Sequence, residues 1–284
     1  MALFSHRGCS NDKGGYLVPH TINTLVMRRY AIRYSLEFFV IFLGVLVSFS
    51  VQRYGEEKRS EQETRRLIYT LTTEIESNLE YCEEHLKQLR NMAKVNDAVL
   101  AEERLDRDFL IAQHNTHPFG HSYLDGGEYR YWTTPEDYRE LHFWMVTWWN
   151  TFAQSEIYFN SLVASGLLLN IEEPGLRESI EAAYTTKKRR VTVNEGLLRA
   201  NSEKIFAWAE RKRDASSVSR SRAEIFAEDF DLPLRNLLED RSHRIGLRIM
   251  SLEYYISSLQ SLRSELANQF NTDDNLQGDA SPSN

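Results

Sequence analysis

Apolar residues follow two different patterns along the chain. From residue 34 to residue 51 they are almost continuous, YSLEFFVIFLGVLVSFSV, with Glu37 as the only charged residue. After residue 56 they recur every three or four positions, with Glu, Lys, Arg and Gln between them. The continuous run is typical of a membrane-spanning helix, and the spacing of three and four is typical of amphipathic helices. No stretch shows convincing strand alternation, so we predict an all-α fold.

The apolar run has the length of one membrane crossing. Nineteen residues separate Arg33 from Arg53, and at ~1.5 Å per residue they rise about 28 Å, close to the ~30 Å of a hydrocarbon core. Tyr30, Tyr34 and Tyr54 occupy positions where interfacial aromatic residues are expected. We therefore predict a single permanent transmembrane helix. The alternatives are a buried core helix and a cleaved signal peptide, and the second lacks a small-residue cleavage site.

Three residues of this run are candidates for contact with a partner helix. Glu37 lies in the first turns of the span, where the helix dipole favours a carboxylate. It acts either as an interfacial acid or as a polar contact to another helix. Gly44 and Ser48 form a small-xxx-small pair, which would allow a second helix to approach closely in lipid.

The periodic part predicts a stalk followed by an antiparallel helical bundle. A stripe of apolar residues at helical spacing begins at Leu67 and predicts that the transmembrane helix continues as a long stalk helix. Three further helices are predicted: from Thr134 to Ser165-Gly166, from Pro174 through Trp208, and from about Pro233 to Phe270. Asn194 and Asn201 fall near an apolar stripe, where polar residues often fix helix register. The predicted segments are the following: a polar tail at 1–29, the transmembrane helix at 30–53, the stalk at 54–105, a loop at 106–134, the bundle at 135–270, closed by the stalk helix, and a disordered tail at 271–284.

Tryptophans cluster in the helix that follows the predicted loop. Four of the five Trp residues, Trp132, Trp144, Trp148 and Trp149, lie within eighteen positions. An aromatic stripe at helical spacing usually belongs to a core. Trp144, Trp148 and Trp149 are nevertheless the candidates for a ligand-binding or partner-binding aromatic cluster.

Charge is distributed unevenly around the apolar run. The net charge is −7, but residues 1–33 carry five bases against Asp12, while residues 52–284 carry 29 bases against 39 acids. An acidic bulk repels phosphate backbones, so we expect no binding to nucleic acid. Arg28, Arg29 and Arg33 precede the span without compensating acids, whereas the bases after it alternate with Glu, so we predict a cytoplasmic N-terminus and a periplasmic C-terminal part. Translation could start at Met1 or at Met27.

Recognised catalytic and cofactor motifs are absent from the sequence. It contains no phosphate-binding loop, dinucleotide glycines, nucleophile elbow or metal-ligand array. The two cysteines, Cys9 and Cys82, are far apart and do not form a disulfide framework. We therefore predict a non-enzymatic protein with no cofactor and no metal. One catalytic hypothesis stays open, a hydrolase that uses the histidines and acids of one region, which are His114, His117, His121, His142, Asp125 and Glu128.

Two motifs resemble a family of bacterial single-span membrane proteins of unknown function. The first is Glu37 and Gly44 followed by YGEEKR at 54–59, similar to the family's Glu-x6-Gly span with an aromatic and Glu-Glu exit. The second is SLVASGLLLNI at 161–171, with Leu176-Arg177 and Tyr184 after it, similar to the family's Leu-x-x-Ser-Gly-x-Leu segment. The chain departs from the family by having Tyr54-Gly55 in place of Trp-Asn, a longer N-terminal tail and a His-rich loop. The resemblance covers most of 30–210 and implies membrane anchoring and helical architecture, but no activity.

Two functions are consistent with this reading. The first is a non-catalytic, membrane-anchored interaction or scaffold protein of the bacterial cell envelope, in the inner membrane. It would bind the lipid bilayer and either a protein partner or a second copy of itself, through the transmembrane and stalk helices. The alternative is an extracytoplasmic ligand-sensing bundle that signals through a partner protein.

Overall fold

The computed structural model describes residues 22–120, 122–131 and 140–278, and the side chains of 33–120, 122–131 and 140–268. The chain divides into two compact units, Met1–Ser60 and Glu61–Asn284. As predicted, the fold is all-α, and in the described ranges the one exception is a short β-hairpin. The elements in chain order are α1 (Ile22–Glu102), α2 (Arg107–Thr116), β1 (Ser122–Asp125), β2 (Glu128–Tyr131), α3 (Leu141–Thr147), α4 (Ile157–Ala164), a 3₁₀ turn (Leu167–Asn170), α5 (Pro174–Ala182), a π-helical turn (Ala183–Lys187), α6 (Lys188–Asp214), α7 (Arg222–Glu228) and α8 (Leu232–Gly278).

The first unit holds the apolar part of α1. Every residue from 33 to 59 is exposed, including the large apolar residues between Tyr34 and Tyr54. Helix α1 is long and apolar enough to cross a membrane, and its most apolar window has no buried residue. Apolar side chains that a water-soluble fold would cover are thus uncovered here.

The second unit is a helical bundle whose long helices run antiparallel. Asn96 of α1 donates from Nδ2 to the Leu238 carbonyl of α8 (3.0 Å), and Arg90 pairs with Glu253 further along (2.7 Å). Helix α6 also runs against α8, because Asn201 Nδ2 donates to the Leu237 carbonyl (3.0 Å). The predicted polar seam is therefore confirmed at Asn201.

Several helix ends agree with the sequence signals. Helix α4 ends at Ala164 and is followed by Gly166 at φ +73°, the left-handed conformation that favours glycine after a helix. Helix α5 begins at Pro174. The capping box of Ser221 and Glu224 starts α7. The described part of α1 begins at Ile22 and α8 continues to Gly278, so both helices extend beyond the predicted limits of 30 and 270.

Part of the segment predicted as a loop, 106–134, is regular. Asp106 caps α2 by accepting from the Phe109 amide (3.1 Å), and Leu110 is buried. The hairpin turns at Gly126 and Gly127, which both have positive φ, the requirement of a tight two-residue turn. The expectation of no strand was therefore wrong at β1 and β2.

The helix predicted from Thr134 to Ser165 is wrong as one continuous element. Its predicted start at Thr134 lies outside the described residues, as do Trp132 and His121. Within the described part, α3 ends at Thr147, residues 148–156 have no regular secondary structure, and α4 starts at Ile157. We call residues 148–156 the extended segment. It contains no Gly or Pro, so its break has a cause outside the local sequence.

Candidate functional site

Two fully buried arginines of α8 hold the start of the extended segment. Arg241 and Arg248 are 1% and 0% exposed. Arg241 donates to the Trp148 carbonyl, and Arg248 donates to the carbonyls of Trp149 and Asn150. We call Arg241 and Arg248, with these three carbonyls, the arginine clamp. The clamp replaces helical hydrogen bonds that residues 148–150 would otherwise make.

Acidic and neutral groups complete the surroundings of the clamp. Arg241 also donates to Ser202 Oγ (3.0 Å), and Glu195 Oε2 lies 3.7 Å from Arg248 Nη2. Arg248 Nη2 lies 3.0 Å from His85 Nε2. Because a guanidinium only donates, His85 accepts through Nε2 and is neutral.

Burial lowers the pKa of both clamp arginines and of His85. It lowers the pKa of Arg241 to about 9, with Arg248 adding to the effect, and that of Arg248 to about 10, against the opposing charge of Glu195. Both remain protonated at neutral pH. Burial, followed by the positive charge of Arg248, lowers the pKa of His85 to about 3. The site thus keeps two cations and one neutral imidazole in the interior.

One face of α1 binds the rest of the extended segment. Tyr81 Oη accepts from the Ala153 amide (2.8 Å). The Asn78 amide pairs with both backbone groups of Ser155, at 2.8 and 3.0 Å. Glu74 is 3% exposed and accepts from the Tyr158 amide at the start of α4 (2.8 Å). A carboxylate at a helix N-terminus satisfies free amides and complements the dipole.

The predicted aromatic cluster is only partly brought together. The Trp144 and Trp148 rings lie 5.9 Å apart, and Phe119 stacks on both, at 5.2 and 5.6 Å. Trp149 contacts a different group, since the Arg199 guanidinium lies 5.5 Å from its ring. Trp144 and Trp148 therefore pack against the residues that precede the hairpin, while Trp149 lies against α6.

Glu37, Ser48 and His114 make local contacts. Glu37 Oε1 pairs with Arg33 Nε (3.1 Å), and Ser48 Oγ donates to the Gly44 carbonyl (2.8 Å). His114 Nε2 lies 3.0 Å from the Phe119 carbonyl. Within the described ranges, no group of three or more His, Cys, Asp or Glu side chains could hold a metal ion.

The clamp was not predicted, although the sequence carries a signal for it. Arg241 and Arg248 occupy positions in the stripe Leu238, Arg241, Ile245, Arg248 and Leu252, where spacings of three and four place them in the core. His85 and Asn78 occupy equivalent positions in α1. Charged residues at core positions need buried partners, and here the partners are backbone carbonyls.

This arrangement binds the protein's own backbone. The donors of the clamp are directed at carbonyls of the same chain, and the clamp arginines are closed to solvent. Comparisons with protein-family models, with curated proteins and with solved structures find no match to the chain. The resemblance to a single-span bacterial family therefore stays a prediction.

The contact of Gly120 with Trp144 gives a first prediction. Gly120 has φ +109°, and a Cβ there would lie 2.1 Å from Trp144 Cζ2. We expect Gly120→Ala to lower the free energy of unfolding by about 1–3 kcal/mol, because overpacking and backbone strain add. Gly196→Ala is the control: its Cβ meets open space on helix α6, and a gain of about 0.5–1 kcal/mol is expected. Urea unfolding of the full chain in detergent, followed by Trp fluorescence, measures both; equal effects would contradict the contact.

A second prediction concerns Arg248. Arg248→Met leaves the buried carbonyls of Trp149 and Asn150 without their donor and removes the positive charge beside Glu195, so we expect a loss of about 3–5 kcal/mol in the free energy of unfolding. Arg244→Met is the matched control on the same helix, since Arg244 is 22% exposed and pairs with Asp240 within the helix. We expect that change to cost less than about 1 kcal/mol. Similar losses in the two variants, measured by urea unfolding, would exclude the clamp as a main support of the bundle.

A third prediction follows from neutral His85. Its pKa is about 3 in the folded chain and near 6.5 when unfolded, so below about pH 6.5 the unfolded state binds a proton that the folded state does not. Stability from this group is complete above pH 6.5 and decreases as the pH falls towards 3. Between pH 6.5 and 4.5 we expect the wild-type chain to lose about 2 kcal/mol more than His85→Gln, which keeps a neutral acceptor. Parallel pH dependence of the two urea midpoints would contradict a neutral buried imidazole.

Proposed function

We propose that the protein is a non-catalytic, membrane-anchored helical interaction protein of the bacterial cell envelope. The observation that carries this proposal is the full exposure of the apolar residues between Tyr34 and Tyr54, in a helix long enough to cross a membrane. A bilayer covers such a surface at its lowest cost in free energy, because lipid chains replace water around it. Localisation in the inner membrane, with the C-terminal unit in the periplasm, belongs to this proposal.

The contacts at the start of the span support insertion. Glu37 is paired with Arg33, so its charge is compensated where the helix would enter the interface. Ser48 donates to the Gly44 carbonyl, which satisfies its hydroxyl within the helix. Apart from its own helix backbone and chain neighbours, no atom lies within 4 Å of the position that a Gly44 Cβ would take. The Gly44 and Ser48 face is therefore open to a second helix, either another copy or a partner protein.

The buried polar groups support an interaction role over catalysis. The clamp and the polar face of α1 are directed at backbone groups of the extended segment, so they organise the bundle. A bundle whose buried polar side chains bind its own backbone leaves its outer surface for contact with partners. Trp144 and Trp148 pack on Phe119, and this packing favours the interaction role over the ligand-sensing alternative.

The span is tested by alkaline carbonate extraction of bacterial membranes. The wild-type chain and the control Leu43→Ala/Leu46→Ala should stay in the membrane pellet. Leu43→Arg/Leu46→Arg should be released, because each arginine near the helix centre costs about 2.5–3.5 kcal/mol. Extraction of the wild-type chain into the supernatant would overturn the membrane anchor.

Orientation is tested with reporters fused after Phe270. Alkaline phosphatase is active when it is exported, and a green fluorescent protein matures in the cytoplasm. We expect phosphatase activity without fluorescence, because Arg28, Arg29 and Arg33 directly precede the span with no acidic residue among them. Fluorescence without phosphatase activity would reverse the orientation and direct the search for partners to the cytoplasm.

A further inference from the structure

An uncharged stretch in the second unit leaves large apolar side chains exposed. Residues 157–170, IYFNSLVASGLLLN, contain no Asp, Glu, Lys or Arg and lie between Glu156 and Glu172. They form α4 and the 3₁₀ turn that follows it. We call this stretch the apolar corner.

Few residues of the apolar corner face the core. Helix α4 buries Phe159 and Leu162, and the 3₁₀ turn buries none of its residues. Ile157 is 69% exposed, Val163 49% and Leu169 72%. Exposed apolar side chains concentrated in one uncharged segment are typical of an interaction surface.

The apolar corner lies at the end of the second unit that contains Glu61, the first residue of that unit. Tyr184, in the π-helical turn, stacks on Phe159 of α4 (4.4 Å between ring centroids), close to the Glu74 contact of α4. Helix α5 precedes Tyr184 in the chain and α6 follows it, so the two helices extend from Tyr184 in opposite directions. Helix α5 also packs on α8. Because α8 runs antiparallel to α1, this direction leads towards Glu61. The Leu169 carbonyl lies 3.5 Å from Arg177 Nη1, which places the 3₁₀ turn beside the first turns of α5.

The opposite end of the second unit contains the end of α1 and the start of α8. There α1 ends at Glu102, and Trp208 Nε1 donates to Asp231 Oδ1 (3.0 Å) just before α8 begins. From Glu61 to Glu102 the helix rises about 60 Å. Val218, between α6 and α7, is 66% exposed at this far end and is a natural reference position.

Covalent connection limits how far the corner can be from a membrane. Ten residue steps separate Val51, the last residue of the apolar run, from Glu61. Even a fully extended chain covers only about 35 Å in ten steps. When the span lies in a bilayer, Glu61 is therefore never more than about 35 Å from Val51.

We propose that the apolar corner binds the surface of the lipid bilayer as a second, peripheral membrane contact. The proposal rests on the membrane anchor proposed above. Lipid is the occupant that fits, because the stretch has no charged side chain to pair with a protein partner and contains three consecutive leucines, Leu167, Leu168 and Leu169. Tyr158, 39% exposed in the same stretch, is of the residue type found at membrane interfaces. Two contacts hold a protein at a membrane more firmly and limit its rotation.

The test uses the full chain in lipid nanodiscs with an environment-sensitive fluorophore on one cysteine. Cys9→Ser removes one native thiol, and Cys82 stays, because it is buried and its pKa is raised to about 12, so it resists labelling. Labels are attached through Leu169→Cys, Val218→Cys or Val47→Cys. The nanodiscs contain phosphatidylcholine with or without a nitroxide near the start of the acyl chain, which quenches fluorophores at that depth.

Each outcome has a distinct meaning. We expect quenching at position 169 to be several-fold stronger than at position 218, because interfacial segments sit about 5–10 Å into the headgroup and acyl boundary. Ile157→Cys, labelled in the same way, should behave like position 169, and this guards against a local effect of one substitution. Strong quenching at position 47 with equal, weak quenching at 157, 169 and 218 would overturn the peripheral contact and leave the anchor intact. Lack of quenching at position 47 would overturn both. A blue shift at 169 that depends on a second copy per nanodisc, without lipid quenching, would assign the corner to self-association and also overturn the lipid contact.

Discussion

The burial of Arg241 and Arg248 sets the conditions that the rest of the bundle must meet. A guanidinium removed from water costs several kcal/mol unless its donors and its charge are both satisfied. The carbonyl at the C-terminal end of α3 meets both needs, because Trp148 is its C-cap and helix C-termini carry partial negative charge. The arginines in turn supply donors to carbonyls that would otherwise be buried without partners. Each group is stable in the interior only because the other is there.

The irregular conformation of the extended segment follows from these hydrogen bonds between arginines and carbonyls. Once the carbonyls of Trp148, Trp149 and Asn150 bind arginine, the chain does not continue as a helix, and Asn150 takes φ +51°, which asparagine tolerates better than most residues. Its remaining backbone groups then need partners, and α1 offers Tyr81 and Asn78, while Glu74 one turn earlier accepts from the Tyr158 amide of α4. The clamp on α8 and the polar face of α1 therefore depend on the same nine residues, which couples the two helices through polar contacts as well as through their apolar cores.

Sequence patterning predicted the parts of the fold that depend on local periodicity. The long helices, the end of α4 at Ser165-Gly166 and the start of α5 at Pro174 agree with the structure, because caps and apolar spacing act within a few residues. The break at 148–156 was beyond this reasoning. Trp148, Phe152 and Phe159 keep helical spacing across it, and the hydrogen bonds that override that spacing come from residues about 70 to 100 positions away. The hairpin was missed for a different reason, since its Gly126-Gly127 turn was assigned to a loop. At the site, Trp144 and Trp148 meet as the aromatic pattern suggested, but the clamp arginines were overlooked within an apolar stripe.

The distribution of polar groups bears on where the protein can act. Buried polar side chains usually mark a site, yet here those of the clamp and of α1 bind backbone from the same chain. A surface that binds another molecule must instead expose groups whose contact with water is unfavourable, so that binding lowers the free energy. In the described residues two exposed apolar surfaces have this property. They are the span, where every residue from 34 to 51 is exposed, and the uncharged stretch at 157–170. Hydrogen-bonded polar groups inside and exposed apolar side chains outside are the arrangement on which the proposed membrane attachment rests.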